Sequence, residues 1–438
     1  MLTLQGRYHQ LLAAAGEKKK PGWNKTPQPQ DSNLTSDIVN LILSEAILNR
    51  ASDIHIEPQQ EFIRVRYRID GKLYNVLQVV ESAEVHLIAR IKILTNIPTD
   101  TVSSRKAWDG RFSMSIGNQQ YDFRVATFPT LMGDKIAIRV LNKNSELIDL
   151  KKIGLRPQSY SIIEQIIKRK SGLLVVSGPT GGGKTTTLYS ILSRLHTPAV
   201  NIVTLENPVE YQIDGLNQCD INKKVSEDFT SALKATLRQD PDVILIGEIR
   251  DLESAEIALR ASITGHFVMT SIHANSAIGT VARLINMGLE RYMIAYALVG
   301  AVSQHLVPRI CEGCRTPYKI DPLWLNKICI QCGVDPKLLI HEDVQKSLDT
   351  SEGVSFYKGA GCDACKGTGY RGMIGVFEVV QFTEDLREAI INNASVGELE
   401  NMASARDFQS MAIDALQKVK SGMIRFDDIY HILLEKFR

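Results

Sequence analysis

At 438 residues the chain exceeds the size over which one hydrophobic core keeps growing, so two or three domains are expected. Its 51 Lys and Arg offset 49 Asp and Glu to leave +2, which gives no global pull toward nucleic acid or anionic lipid. The longest apolar run, MIAYALVGAV at 293–302, falls short of the roughly 20 residues of a membrane-spanning helix, and the opening MLTLQGRYHQ lacks the order of a secretory signal. A cytoplasmic protein is expected, and with it reduced thiols.

Residues 1–33 read as a flexible tail, because KKKPGWNKTPQPQDSN is rich in Pro, Lys and turn formers. The three- and four-residue steps of Ile38, Leu41, Ile42, Ala46 and Leu48 predict a helix. Short alternating strands follow at 53–57 and 62–69, the second closed by the turn pair Asp70-Gly71, and LYNVLQVV returns beside it. A helix over 84–94 and strands near 111–127 and over 135–141 complete an α+β unit spanning 34–145. Beyond it, GLLVVSG (172–178), NIVTLE (201–206), DVILIGE (242–248) and HFVMTSIH (266–273) are apolar runs of strand length separated by helical segments. Runs without polar alternation suit parallel strands buried on both faces, so 146–304 reads as a doubly wound α/β domain. Gly-rich sequence carrying cysteines occupies 305–380, and 381–438 is helical in pattern.

Gly178, Pro179, Thr180, Gly181, Gly182, Gly183, Lys184 and Thr185 spell G-x-x-x-x-G-K-[ST] between an apolar strand and the helix that Thr186 continues. Glycines let backbone N–H groups curl around phosphate oxygens, and the helix start adds partial positive charge. Lys184 is placed to reach the β- and γ-phosphates of ATP, and the Thr185 hydroxyl to hold Mg²⁺. Glu248, at the end of the apolar strand in DVILIGEIRD, is the candidate acid beside that Mg²⁺. LENPVEY places Glu206 and Glu210 after another buried strand, on the same edge if the sheet is parallel. Glu206 is the candidate for orienting the attacking water, although an acid at a strand end is common. His266 and His273 flank FVMTSI and could be structural or could report phosphate occupancy. Arg64, Arg66 and Arg68 point to one face of their strand, forming either a cationic stripe for a triphosphate or a solvated surface.

Six of the seven cysteines form three C-x-x-C pairs: Cys311/Cys314, Cys329/Cys332 and Cys362/Cys365. Two such pairs make a closed tetrahedral Zn²⁺ site. Spacing alone favours the first pair with the second.

These segments in this order resemble the secretion ATPases of type II secretion and type IV pilus assembly. The resemblance is carried by ASDIHIEP, RVRYRIDG, GPTGGGKTTTLY, TLENPVEY, LRQDPDVILIGEIRD, TGHFVMTSIHANSA and GCDACKGTGYRG, which thread residues 34–380. It implies a homo-hexamer of two-lobed subunits, a PAS-like N-terminal lobe and a RecA-like ATPase lobe, with ATP between them and hydrolysis driving lobe rotation. It supports Glu206 as catalytic acid, Glu248 as the Mg²⁺-associated acid and His273 as a γ-phosphate sensor, and it suggests that the arginines among Arg64, Arg66 and Arg68 reach the nucleotide. For zinc it favours Cys311 and Cys314 with Cys362 and Cys365. Retraction motors of the superfamily generally lack these cysteines, so assembly or secretion is implied, through an inner-membrane platform protein that holds the ATPase peripherally at the cytoplasmic face. Nucleic acid is not an expected partner; a nucleic-acid motor of the RecA type and a non-catalytic ATP-binding paralogue are the alternatives. The chain departs from the family's usual pattern at Asn207, where an acid is usual, and at KAW before Asp109-Gly110-Arg111, where a Pro-Gln pair is usual. Only about 33 residues precede the first lobe, where relatives usually carry a further docking domain.

Overall fold

A computed structural model describes residues 4–17, 30–80, 84–99, 106–142, 149–221, 229–320, 354–405 and 408–435, with Lys327 and Ile330. The chain divides into two compact units, Met1–Ser145 and Glu146–Arg438.

In the first unit, helices α1 (Leu4–Glu17), α2 (Gln30–Leu48) and α3 (Glu84–Leu94) accompany six strands. These are β1 (Ala51–Pro58), β2 (Phe62–Ile69), β3 (Lys72–Val80), β4 (Trp108–Ile116), β5 (Gln119–Thr130) and β6 (Gly133–Asn142). They form an antiparallel sheet in the order β3-β2-β1-β6-β5-β4. Alternation decides its faces: Ile54, Ile56, Ile63, Val65, Tyr67, Phe123 and Ile138 point into a core filled by Ile38, Val39, Ile42 and Leu43 of α2. The Tyr67 hydroxyl, buried in this core, donates to the Ile42 carbonyl at 2.6 Å and is thereby satisfied. Of the apolar steps read along α2, Ile38, Ile42 and Ala46 are buried, whereas Leu48 is exposed. The expected flexible tail is corrected in part: α1 puts Leu4 and Tyr8, one turn apart, into the same core.

The second unit holds a seven-stranded sheet, β15-β12-β7-β11-β10-β8-β9. Its strands are β7 (Gly172–Ser177), β8 (Ile202–Glu206), β9 (Asn217–Asp220), β10 (Val243–Ile246), β11 (Phe267–Ile272), β12 (Leu298–Ile310) and β15 (Tyr370–Gln381). Every neighbouring pair is parallel except β12 with β15. Both faces are covered. Leu174, Val176, Leu245 and Met269 meet α4 (Pro157–Ile166) and α5 (Lys184–Leu195) on one side. On the other, Leu173, Val175, Ile244 and Val268 meet α6 (Phe229–Thr236), α7 (Leu252–Ile263), α8 (Gly279–Asn286) and α9 (Arg291–Ala297). The four apolar runs read as buried parallel strands are thus β7, β8, β10 and β11, wound with helices on both faces.

The interval 305–380 is not set apart from this sheet, since β12 and β15 belong to it. Among the described residues of this interval, β13 (Arg315–Ile320) and β14 (Val354–Gly359) form a separate two-stranded ladder. Helices α10 (Glu384–Ile391), α11 (Val396–Ser404), α12 (Met411–Lys420) and α13 (Phe426–Glu435) close the unit, as the helical pattern of this segment predicts.

One polar cluster ties this end to the sheet. Asp414 of α12, fully buried, accepts from the Phe377 N–H at 2.7 Å and from Lys418 Nζ at 2.6 Å, and Arg156 Nε lies 2.9 Å from its other oxygen. Burial lowers the pKa of Lys418 from its ordinary value, while the Asp414 charge opposes that shift. Removing one member of such a cluster leaves an uncompensated buried charge. Asp414→Ala should therefore destabilise the second unit by roughly 3–5 kcal/mol, read as a lowered midpoint in denaturant unfolding.

Candidate nucleotide and metal sites

The phosphate-type loop forms where β7 ends and α5 begins. Gly183 caps α5 at φ +85°, a left-handed conformation that side chains resist, and Gly181 adopts φ +76°. Gly178 has φ +142°, and a Cβ there would lie 2.2 Å from the backbone carbonyl oxygen of Gln304 on β12. The loop is thus pressed onto a neighbouring strand that only glycine allows it to approach. Gln304 also reaches up with its side chain: Nε2 donates to the Gly182 carbonyl at 2.7 Å, and the residue is 1% exposed. No motif in the sequence marks Gln304; its role follows from the parallel pairing of β12 with β7, which sets Ser303 beside Ser177.

Lys184 Nζ donates to the Gly178 carbonyl at 2.8 Å and the Pro179 carbonyl at 3.0 Å, so its ammonium lies over the loop. Burial lowers its pKa, and the charge of Glu248 opposes this. Thr185 and Thr186 open α5, and Pro179, Thr180 and Gly181 are exposed.

Glu248 and His273 are brought together. Glu248 follows β10, and its Oε1 lies 3.1 Å from His273 Nε2, just past β11; its Oε2 meets Arg250 Nη2 at 2.9 Å. Two contacts dock these strand ends on each other: Ser271 Oγ donates to the Gly247 carbonyl at 2.7 Å, and the Ile249 N–H donates to the Ser271 carbonyl at 3.1 Å. His266 has a different task, its Nδ1 lying 3.1 Å from the Ala261 carbonyl at the end of α7. It is a structural hydrogen-bonder.

Glu206 ends β8 on the same edge but turns inward, at 4% exposure. Thr204 Oγ1 donates to its Oε1 at 2.7 Å, and the Tyr189 hydroxyl donates to its Oε2. Burial raises the Glu206 pKa; hydrogen bonds from Tyr189, Thr204 and Gln218 offset part of that rise.

In the first unit, Arg64, Arg66 and Arg68 share one face of β2, opposite Asp53, His55 and Glu57 of β1. Glu57 lies 2.9 Å from Arg64, 2.7 Å from Arg66 and 3.1 Å from Lys135, while Arg68 and Arg139 flank Asp53. Burial alone would raise the Glu57 pKa, but hydrogen bonds from Arg66, Lys135 and Arg64 hold it at about 2. Three cations on one carboxylate leave this patch positive.

The thiols of Cys311, Cys314, Cys362 and Cys365 lie within 4.8 Å of one another. Three of the separations, Cys311–Cys362, Cys314–Cys365 and Cys362–Cys365, are 3.8 Å. Four sulfurs about 2.3 Å from a central Zn²⁺ would be roughly 3.8 Å apart, so the spacing fits a tetrahedral metal. Backbone N–H groups of Gly361, Cys362 and Gly369 point at the sulfurs of Cys314, Cys365 and Cys365, at 3.3, 3.1 and 3.3 Å. Burial would raise the Cys365 thiol, yet the N–H groups of Cys362 and Gly369 lower it, while burial pushes the thiols of Cys311 and Cys314 up. The β13–β14 ladder closes the site by pairing Arg315 with Gly359, so spacing along the chain, which favours Cys329 and Cys332, is overruled by long-range pairing. Cys329 and Cys332 lie outside the described residues. Gly178→Ala should weaken ATP binding at least about tenfold, checked by titration with a fluorescent nucleotide, because the added methyl displaces the loop from β12.

The sequence pattern of the type II/IV secretion system protein family matches residues 28–431. Type II secretion system protein E of Pectobacterium carotovorum is 38% identical over 91% of this chain and 76% of its own length. The type IV pilus assembly ATPase PilB of Myxococcus xanthus is 39% identical over 90% of this chain and 66% of its own length. A crystal structure of the pilus retraction motor PilT with bound ADP superposes with a TM-score of 0.59 at 25% identity, covering 90% of this chain and 96% of PilT. The fold is also that of the Legionella pneumophila ATPase DotB, with a TM-score of 0.66 at 20% identity over 95% of this chain and 98% of DotB. The chain belongs to the type II/IV secretion system protein family, the ATPases of secretion and pilus assembly.

Proposed function

We propose that the chain is an ATP-driven motor for assembling pilus or pseudopilus subunits or for type II secretion, working in a homo-hexameric ring on an inner-membrane platform protein. The observation that carries this reading is the meeting of Lys184, Glu248 and His273 at one sheet edge, beside a glycine loop shaped by Gln304. Backbone amides from Gly178 to Thr185 would grip the triphosphate, with the Lys184 ammonium on its β- and γ-phosphates. The Thr185 hydroxyl and the Glu248 carboxylate are hard oxygen donors suited to Mg²⁺, which when bound would neutralise phosphate charge. Glu206 is assigned to orienting water, and His273, through its contact with Glu248, to reading the γ-phosphate. Arg64, Arg66 and Arg68 of the first unit are assigned to phosphate recognition, the surplus positive charge of their strand face suiting an anion.

The four-thiol cluster is assigned to one structural Zn²⁺ that pins β13–β14 and the segment before β15 together. Among the described residues four thiols and no further donor make up the cluster, which suits scaffolding rather than catalysis. The cluster also favours assembly or secretion over retraction. Attachment at the inner membrane's cytoplasmic face is assigned to the platform protein; among the described residues no helix is long and apolar enough to cross a membrane.

Steady-state hydrolysis by the assembled ring decides the motor reading. Lys184→Ala and Glu206→Gln should each lower kcat by about a hundredfold or more, and added DNA should leave the rate unchanged. Equal background rates in wild type and both variants would remove the catalytic assignment. Because the Glu206 pKa is raised, its basic form is lost as pH falls, and activity should decline on the acid side above the ordinary glutamate range. Metal analysis should find about one zinc per chain, and Cys362→Ser should release it and lower the unfolding temperature of the second unit.

A further inference from the structure

Tyr189 belongs to α5, the helix that Lys184 opens, and its ring is fully buried. The phenolic hydroxyl donates to Glu206 Oε2 and accepts from the Glu210 N–H at 3.4 Å. Its ring meets Tyr211 edge-on, with centroids 4.6 Å apart. One side chain therefore joins the helix after the phosphate loop to the end of β8 and to the turn that follows it. The opposite carboxylate oxygen is engaged by Thr204, so hydroxyls hold both oxygens of a glutamate that has almost no contact with solvent.

A carboxylate in such a place is driven to protonate, and a protonated acid cannot take a proton from water. Donated hydrogen bonds reverse that drift, because they favour the charged form. We propose that Tyr189 is a positioning residue for hydrolysis, whose hydroxyl keeps Glu206 ionised and sets its direction relative to the phosphate loop. This rests on Glu206 being the water-orienting acid. The groups facing Glu206 are Tyr189 of α5, Thr204 of β8, Gln218 of β9, and Glu210 and Tyr211 of the turn; the Glu210 charge pushes toward protonation, and the hydroxyls and amide push back. Since Tyr189 and Lys184 ride on the same helix, a shift of α5 on binding phosphate moves the latch together with the lysine.

Tyr189→Phe in the full-length ring removes one oxygen and little volume. Its kcat should fall about tenfold with KM for ATP changed less than about twofold, and the acid limb of the kcat–pH profile should move up by about one unit, the size of one lost hydrogen bond to a charged group. Thr204→Val, which removes the other hydroxyl, should move that limb in the same direction. A limb in its wild-type place in both variants overturns the proposal, whatever happens to kcat. Glu206→Gln separates the two claims: wild-type turnover there would defeat the reading of Glu206 itself. An inactive Glu206→Gln beside a Tyr189→Phe enzyme of unaltered profile would defeat only the role of the tyrosine.

Discussion

Parallel pairing of β12 with β7 brings the Gln304 carbonyl oxygen to 2.2 Å from where a Cβ on Gly178 would lie, and the rest of the nucleotide edge is arranged around that approach. The same residue donates its amide to Gly182, so one side chain and one carbonyl from a strand far along the chain shape both ends of the loop. A buried amide that gave up this bond would be left without a partner, which costs about 1–3 kcal/mol and makes the loop conformation hard to abandon. Covering β12 on its other side, β15 contributes Glu378, whose two oxygens accept from the Ala277 N–H at 2.7 Å and the Met411 N–H at 3.2 Å. One buried carboxylate thus fixes the segment after His273 and the first turn of α12.

How much of this could be read in advance depends on whether the determining contact is local. Strands β7, β8, β10 and β11 were legible because a strand buried on both faces is apolar throughout, and the loop 178–185 because glycines are required at left-handed positions. The run MIAYALVGAV was not resolvable: α9 ends at Ala297 and β12 begins at Leu298, and an unbroken apolar stretch has no periodicity to show that change. At α1, Leu4 and Tyr8 carry a helical step, but the Pro-rich residues that follow obscured it. Gln304 carries no motif signal, and Tyr189, although it ends the stretch GPTGGGKTTTLY, shows nothing of its task there, because each acts through a partner distant in sequence.

The cysteines show the same limit from another side. Cys311 and Cys362 lie 51 positions apart yet hold sulfurs 3.8 Å apart, because the β13–β14 ladder carries the chain out and back. Spacing statistics describe knuckles joined by short loops and cannot see an excursion between them. The arginine stripe of β2 was legible as a period-two pattern, but its neutralisers were not. Glu57 and Asp53 sit on β1, and only the register of β1 on β2 sets Glu57 opposite Arg64 and Asp53 opposite Arg68.

Two glutamates at one sheet edge have been given opposite surroundings. Glu206 ends β8, enclosed by hydroxyls, an amide and aromatic rings, and burial raises its affinity for a proton. Glu248 follows β10, partly open to solvent, with Arg250 and His273 on its two oxygens. On the proposed reading, the acid that directs a proton is the one whose proton affinity burial raises and donated hydrogen bonds hold in check. The acid assigned to Mg²⁺ on that reading is the one left partly open to water, with Arg250 and His273 beside it. The division follows from strand position: β8 lies between β10 and β9, and Tyr189 of α5 and Gln218 of β9 close over Glu206, whereas the chain after β10 leads into Asp251, the cap of α7. Exchanging the two acids' environments would therefore require rebuilding the sheet edge, which is why strand position, and not the glutamates alone, sets the surroundings each receives.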